Sequence, residues 1–194
     1  MDELWAAARP YLRARKNDIH VPMAVDYARR LVEEYSDADA ELVLAATLLH
    51  DIGWAVVDQE AIYRDGFDPA QMVSDIRIAH EKEGARLARE ILDGLGWDPA
   101  ARDEIAEIID GHDTRKEALS LNDSLVKDAD ALWRWSIPGI AISADWFGET
   151  PDVYVARIRP QIDVWLFTPL AREIARAELA ESSRVLVLDQ LVGA

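Results

Sequence analysis

The chain contains no cysteine and only four histidines in 194 residues. The first absence excludes a disulfide framework, a thiolate metal site and a cysteine nucleophile, and it leaves the redox compartment open. Positive charge is also scarce: 21 Lys plus Arg face 37 Asp plus Glu, a net charge of −16. A field of that sign repels nucleic-acid polymers and anionic membranes, so a phosphate-bearing ligand would need a local cation. Long apolar runs are missing. LVLAATLL is far too short to span a bilayer, and the opening MDELWAAARP lacks an apolar core of signal-peptide length, so cytoplasmic residence is the expectation. Internal repeats, low-complexity tracts and Gly/Ser linkers are absent as well, which argues against an array or a two-domain chain.

What is present is one helical pattern after another. Apolar residues recur at three- and four-residue steps in Val25, Ala28, Leu31 and Val32, in Leu42, Val43, Ala46 and Leu49, and in Leu87, Ala88, Ile91 and Leu92. Boundaries are marked by Asn17 and Asp18 before the second helix, Gly53 after the third, Gly94 and Gly96 after the fourth, and Asp98-Pro99 opening the next. Further helices run through Ile105, Ile108 and Ile109 to Gly111 and through LNDSLVKDADALWRW, and Pro138, Pro151, Pro160 and Pro169 punctuate shorter C-terminal ones. VYVARI and RVLVL are β-rich in composition but too short and isolated to suggest a sheet, and they read as helix or irregular chain. The expectation is an all-α fold in a single compact helical domain over 1–194, with half its residues hydrophobic and able to bury one core.

The four histidines, at 20, 50, 80 and 112, each fall at a helix end or on a buried-looking stripe. Ile105, Ile108, Ile109 and His112 stand at i, i+3, i+4 and i+7, so the imidazole continues an apolar face. His50 follows Val43 and Ala46 at seven- and four-residue spacing, and Asp51 sets a carboxylate beside it. Imidazole and carboxylate together suit a divalent zinc, manganese or iron ion. Any one such histidine is more often a hydrogen-bonded core or surface residue than a ligand, and a lone His-Asp pair is weak.

Order along the chain adds to the signal: His20 at a helix start, LLHDIG at 48 to 53, His80, His112, then KDADALW at 127 to 133. This arrangement resembles the HD-domain superfamily of metal-dependent phosphohydrolases, over a motif-bearing core of about residues 15–135 that leaves 136–194 as C-terminal helices. The resemblance implies an HD-type helical bundle in which His20, His50, Asp51 and Asp130 hold the primary metal. Asp130 is preferred to Asp128 because the family reads Ala-Asp-x-Leu, as in Ala129 to Leu132. Asp128 is then a candidate supporting residue beside the ligands. His80 and His112 match the extra histidines of dinuclear members, in which Asp51 would bridge two ions. Otherwise the two histidines line the pocket and bind phosphate without a metal.

The implied activity is hydrolysis of a small phosphate ester or nucleotide by metal-activated water, with His50, Asp51 and Asp130 as the catalytic centre and manganese, iron, zinc, nickel or magnesium as the cofactor, one ion or two. A small phosphorylated molecule is the expected partner, and a homo-oligomer is compatible with the apolar stretch Leu179 to Val192, which would equally serve an intramolecular face. Some nucleotidase relatives carry a Glu three residues after the His-Asp pair; Trp54 stands there instead, as core or pocket wall. Candidate phosphate anchors are Arg115 first, then Lys82, Lys116 and Lys127, each to be weighed against a solvated surface charge. Trp133, Trp135 and Trp146 would stack a base or fill the core. Two rival readings keep the same residues: a di-iron oxygenase of a small organic substrate, and a ligand-binding HD module without catalysis.

Overall fold

A computed structural model describes residues 1–65 and 74–192, with side chains at all of these but 63–65 and 186–192. The elements are α1 (Asp2–Ala8), α2 (Asn17–Glu34), α3 (Ala40–Leu49), α4 (Gln59–Asp65), α5 (Asp75–Gly94), α6 (Pro99–Ile109), α7 (Leu121–Leu132), α8 (Ile137–Phe147), α9 (Pro151–Ile158), α10 (Ile162–Trp165) and α11 (Pro169–Val192). Short 3₁₀ turns at Arg9–Tyr11, Ile52–Ala55, Trp133–Trp135 and Arg159–Gln161 join some of them, and no strand occurs among the described residues. The fold is all-α, and VYVARI is a helix.

The starts of these helices follow from local chemistry. Asp98 accepts hydrogen bonds from the amides of Ala100 and Ala101 ahead of α6, and Asp39, Ser120 and Ser136 cap α3, α7 and α8 in the same way. Prolines occupy the first turns of α8, α9 and α11, where a missing N–H leaves no bond unmade. Two boundaries differ from expectation. Asn17 lies inside α2 and Lys16 is its cap residue, in a left-handed conformation. Gly53 does not end α3, which stops at Leu49; it sits in the next 3₁₀ turn, where a Cβ would overlap the His80 carbonyl and the Gly84 amide of α5. Close approach of two backbones is why glycine stands there.

Helix α3 lies at the centre, against α2, α6 and α7, while α5 packs along α6 and the 3₁₀ turn after His50. Apolar sides of α2, α3, α5, α6 and α7 form one contiguous core that includes Leu31, Val43, Leu49, Leu92, Ile105 and Leu125. Helix α3 is buried on more than the stripe its spacing predicts, since Ala45, Thr47 and Leu48 are enclosed too. The helices after 136 are tied to α7 by Asp128, whose carboxylate accepts from the amides of Phe167 (2.7 Å) and Thr168 (2.9 Å) and from the Thr168 hydroxyl (2.6 Å). Trp135 is wholly enclosed, with its indole N–H donating to the Ile158 carbonyl at 3.3 Å. Among the described residues, no helix is long and apolar enough to cross a membrane.

Candidate metal centre

Four helices and a turn bring the histidines together. His20 belongs to the first turn of α2, His50 caps the C-terminus of α3, His80 lies in α5, His112 follows α6, and Asp130 lies near the end of α7. All five, and Asp51, are buried. His20 Nε2 stands 3.0 Å from His50 Nε2 and 3.1 Å from Asp130 Oδ1. His80 and His112 form a second pair, Nε2 to Nε2 3.4 Å. Asp51 lies between the pairs: Oδ2 is 3.6 Å from the Nε2 of both His20 and His50, while Oδ1 is 3.4 Å from that of His112 and 3.7 Å from that of His80. Two groups of residues could each hold a metal ion, His20 with His50 and Asp51, and Asp51 with His80 and His112.

The donor chemistry fits a divalent cation. His50 Nδ1 lies 2.6 Å from the Thr47 carbonyl and His112 Nδ1 lies 2.9 Å from that of Ile109. A carbonyl only accepts, so both Nδ1 atoms carry hydrogen, and each Nε2 lone pair points into the cluster. The bond also satisfies a carbonyl left open in the last turn of its helix. Without a cation, the centre holds its charge balance with protons. Burial disfavours a charged His50, but the charge of Asp51 and the hydrogen bond and charge of Asp130 outweigh it and raise its pKa. Burial likewise opposes charge on His112, and the contact with Asp51 and the field of Asp113 carry it to about 10. His80 is taken down to about 3 by burial and by the neighbouring His112. Burial works to raise the carboxyl of Asp51, yet the surrounding histidines hold it well below the usual range. Two imidazoles held in the charged form, two held neutral by burial and two ionised carboxylates packed this closely form a site for a cation.

The HD domain profile matches residues 17–135, a span that includes all four histidines, Asp51 and Asp130. The chain belongs to the HD domain family. No curated protein and no solved structure matches it. Metal-dependent phosphohydrolases are the general activity of HD domains, and the His/Asp cluster of this one could bind metal.

Other residues fall where the sequence reading did not place them. Asp128, the candidate supporting residue, directs its carboxylate to the amides of Phe167 and Thr168 and the Thr168 hydroxyl just before α11, and no hydrogen bond from it to the ligands occurs among the described residues. The guanidinium of Arg115 donates to the carbonyls of Glu107, Ile108 and Asp110 and so closes the C-terminus of α6. It covers Gly111, whose φ of 128° favours glycine. Lys127 Nζ donates to the carbonyls of Gly111, His112 and Arg115, clamping the same turn. Lys82 and Lys116 are exposed. None of these four cations lines the cavity over the centre.

That cavity, of about 70 Å³, is lined instead by Arg15, Arg77, Arg134 and Arg157, by Asp51, Asp113 and Asp130, and by aromatic rings including Trp54, Trp133 and Trp146. Trp54 is both wall and core: it is enclosed, lies parallel to the His80 ring at 3.8 Å, and donates from Nε1 to Asp51 Oδ1 at 3.0 Å. Trp133 packs on His20 with ring centroids 4.6 Å apart. Asp113, missed by the sequence reading, accepts from Arg77 at 2.9 Å and reaches within 3.8 Å of His80. A signal for it existed, because Gly111-His112-Asp113 is a second His-Asp dipeptide. Glu81 was also missed. Its buried carboxylate accepts from the amides of Asp113 and Thr114 and from the Thr114 hydroxyl, fixing the turn that presents His112.

Proposed function

We propose that this HD domain is a metal-dependent phosphohydrolase acting on a small phosphate ester or nucleotide, with His20, His50, Asp51 and Asp130 holding one divalent ion and Asp51, His80 and His112 holding a second. One observation carries the reading: the two oxygens of Asp51 face two separate histidine pairs. A single carboxylate so placed is suited to bridging two cations. Divalent ions held there supply Lewis acidity toward a phosphoryl oxygen and a source of hydroxide near neutral pH.

The chain's own residues do the rest. His50 and His112 are fixed in one tautomer by backbone carbonyls, which keeps their Nε2 atoms directed inward. Trp54 holds Oδ1 of Asp51 and excludes water from one side of His80. Arg77 and Arg134 hold Asp113 and Asp130. With four arginines against three aspartates on its walls, the cavity carries a positive excess that a divalent ion would increase, opposite in sign to the whole chain. Its volume of about 70 Å³ supports a small ester more than a whole nucleotide.

The test is metal analysis of protein purified without chelator or nickel resin, then a screen of phosphate esters with added manganese. The expected result is one to two equivalents of divalent metal and release of inorganic phosphate that stops on chelation. Full turnover in excess chelator would overturn the reading, and so would two irons with dioxygen consumption and no phosphate release.

A further inference from the structure

Two of the arginines on the cavity wall are bound to carboxylates: Arg77 donates to Asp113 at 2.9 Å, and Arg157 gives Nε and Nη2 to Glu149 at 2.9 to 3.3 Å. Arg134 is engaged differently. Its Nη1 donates to the main-chain carbonyl of Asp130 at 2.9 Å and reaches Asp130 Oδ1 at 3.5 Å, and no other hydrogen bond of this side chain occurs among the described residues. Nε and Nη2 therefore carry N–H groups that no acceptor in the described chain answers. They are not sealed off, since the side chain is 25% accessible and neither nitrogen is among the buried atoms that lack a partner.

The position of Arg134 ties it to the centre. Asp130 Oδ1, which Nη1 approaches, is the oxygen that lies 3.1 Å from His20 Nε2 and 3.5 Å from His50 Nε2. Burial disfavours the charge of Arg134, yet Asp130, Asp113, Tyr154 and Asp51 outweigh it and raise its pKa, and all four of these line the cavity. The preceding residue adds a donor. Trp133 lines the same cavity and is 2% exposed, its ring packs on His20, and its Nε1–H is buried with no partner among the described residues. One turn thus presents unanswered N–H groups from two successive residues, which suits a ligand that only accepts. An oxyanion is such a ligand, and the planar Nε–Nη2 edge matches two of its oxygens side by side.

We infer that Arg134 is a substrate-binding residue: with Nη1 held on Asp130, it takes two oxygens of the substrate's anionic group on its Nε and Nη2 edge. The ligand class is a phosphate monoester, and that identity alone rests on the phosphohydrolase reading; the oxyanion contact rests on the open N–H groups of Arg134 and Trp133.

Inorganic phosphate is the probe, titrated calorimetrically into protein saturated with manganese, the manganese affinity of each variant being measured first. The wild type is expected to bind phosphate. Arg134→Met should bind it about tenfold or more weakly at full manganese occupancy, the size expected for hydrogen bonds from a charged group. Arg134→Lys keeps a cation that can serve the Asp130 carbonyl but has no paired edge, so it should hold manganese as the wild type does and recover only part of the phosphate affinity. A parallel measurement needs no variant: phenylglyoxal modifies arginine, and saturating phosphate should slow its reaction at Arg134, read by peptide mass spectrometry. The inference is overturned by a wild type that binds no phosphate, or by modification of Arg134 at the same rate with and without phosphate. It is overturned equally by an Arg134→Met protein whose phosphate affinity matches the wild type once manganese is saturating, which would leave Arg134 only the task of holding Asp130. The two readings fail separately. Phosphate bound through Arg134 with no ester hydrolysed sinks the hydrolase and leaves the contact, whereas esters hydrolysed by Arg134→Met at an unchanged KM sink the contact alone.

Discussion

Trp54 Nε1 donates to Asp51 Oδ1 at 3.0 Å, and the same indole lies 3.8 Å above His80 with the rings 12° from parallel. One side chain therefore orients a residue of each proposed metal site. Trp54→Phe keeps the stack and removes the donor. We expect it to fold, to retain the ion held by His20 and His50, and to lose about tenfold in kcat, in line with ~1.5 kcal/mol for a hydrogen bond to a charged group. Trp54→Ala removes the ring as well and should cost about 3–5 kcal/mol of stability. Equal kcat for wild type and Trp54→Phe across a manganese titration would show that the hydrogen bond does not position Asp51.

The split arrangement around Asp51 predicts a split in metal content. His50→Ala and Asp51→Ala should lose both metal and turnover, because the polarising ion leaves with its ligand. His112→Ala should lose one equivalent and keep the ion held by His20, His50 and Asp130. If His80 and His112 contact only substrate, the metal count will stay and KM or kcat will change instead. Chelation of the wild type should lower its melting temperature, since a ligand present at a hundredfold over its Kd adds about 2.7 kcal/mol. A His50→Ala protein with full metal and full activity would remove the central pair from the site.

Much of this was legible in the sequence, for reasons particular residues make plain. The three-and-four spacing of the α3 and α6 residues reports the core, and the cap Asp98 and the prolines Pro138, Pro151 and Pro169 mark real helix starts. The histidines could be singled out because polar rings on apolar stripes need a reason. His112 shows where periodicity stops being informative: α6 ends at Ile109, and a turn through Gly111, not a continuing helix, presents the ring. The cations were harder. Arg115 and Lys127 stand near the motif in sequence, yet their charge is taken up by open carbonyls at a helix end. Arg15, Arg77 and Arg134 reach the cavity from three separate segments, the turn before α2, α5 and the 3₁₀ turn after α7, and no local pattern announces that convergence.

Asp128 and Asp130 are two residues apart in α7 and face opposite tasks. Asp128 accepts three hydrogen bonds at the α10–α11 connection, and burial raises its carboxyl to about 6 against the pull of those donors. Asp128→Ala leaves the Phe167 and Thr168 amides and the Thr168 hydroxyl without their acceptor. The expected cost is about 2–4 kcal/mol, read as a lower urea midpoint, with metal content per folded protein unchanged. Asp130→Ala should show the reverse, a lost metal and a smaller change in midpoint. If Asp128→Ala sheds metal while keeping its midpoint, the carboxylate supports the ligands after all.

Arg115 separates a structural cation from a substrate-binding one. Its Nη2 serves three carbonyls at the end of α6 and packs over Gly111, one residue before His112. Arg115→Ala should therefore lower stability, by about 1–3 kcal/mol for carbonyls that lose a charged donor. Any loss of turnover should follow from disorder of the His112 turn and appear in kcat, with KM for a phosphate ester little changed. Lys82→Ala and Lys116→Ala remove exposed charges and should leave KM, kcat and melting temperature near wild type. The decisive comparison is with Arg77→Met, whose guanidinium lines the cavity and should raise KM. A KM that rises for Arg115→Ala or Lys82→Ala but not for Arg77→Met would mean that substrate approaches from the Arg115 side of the His112 turn, and the cavity assigned to it would be the wrong one.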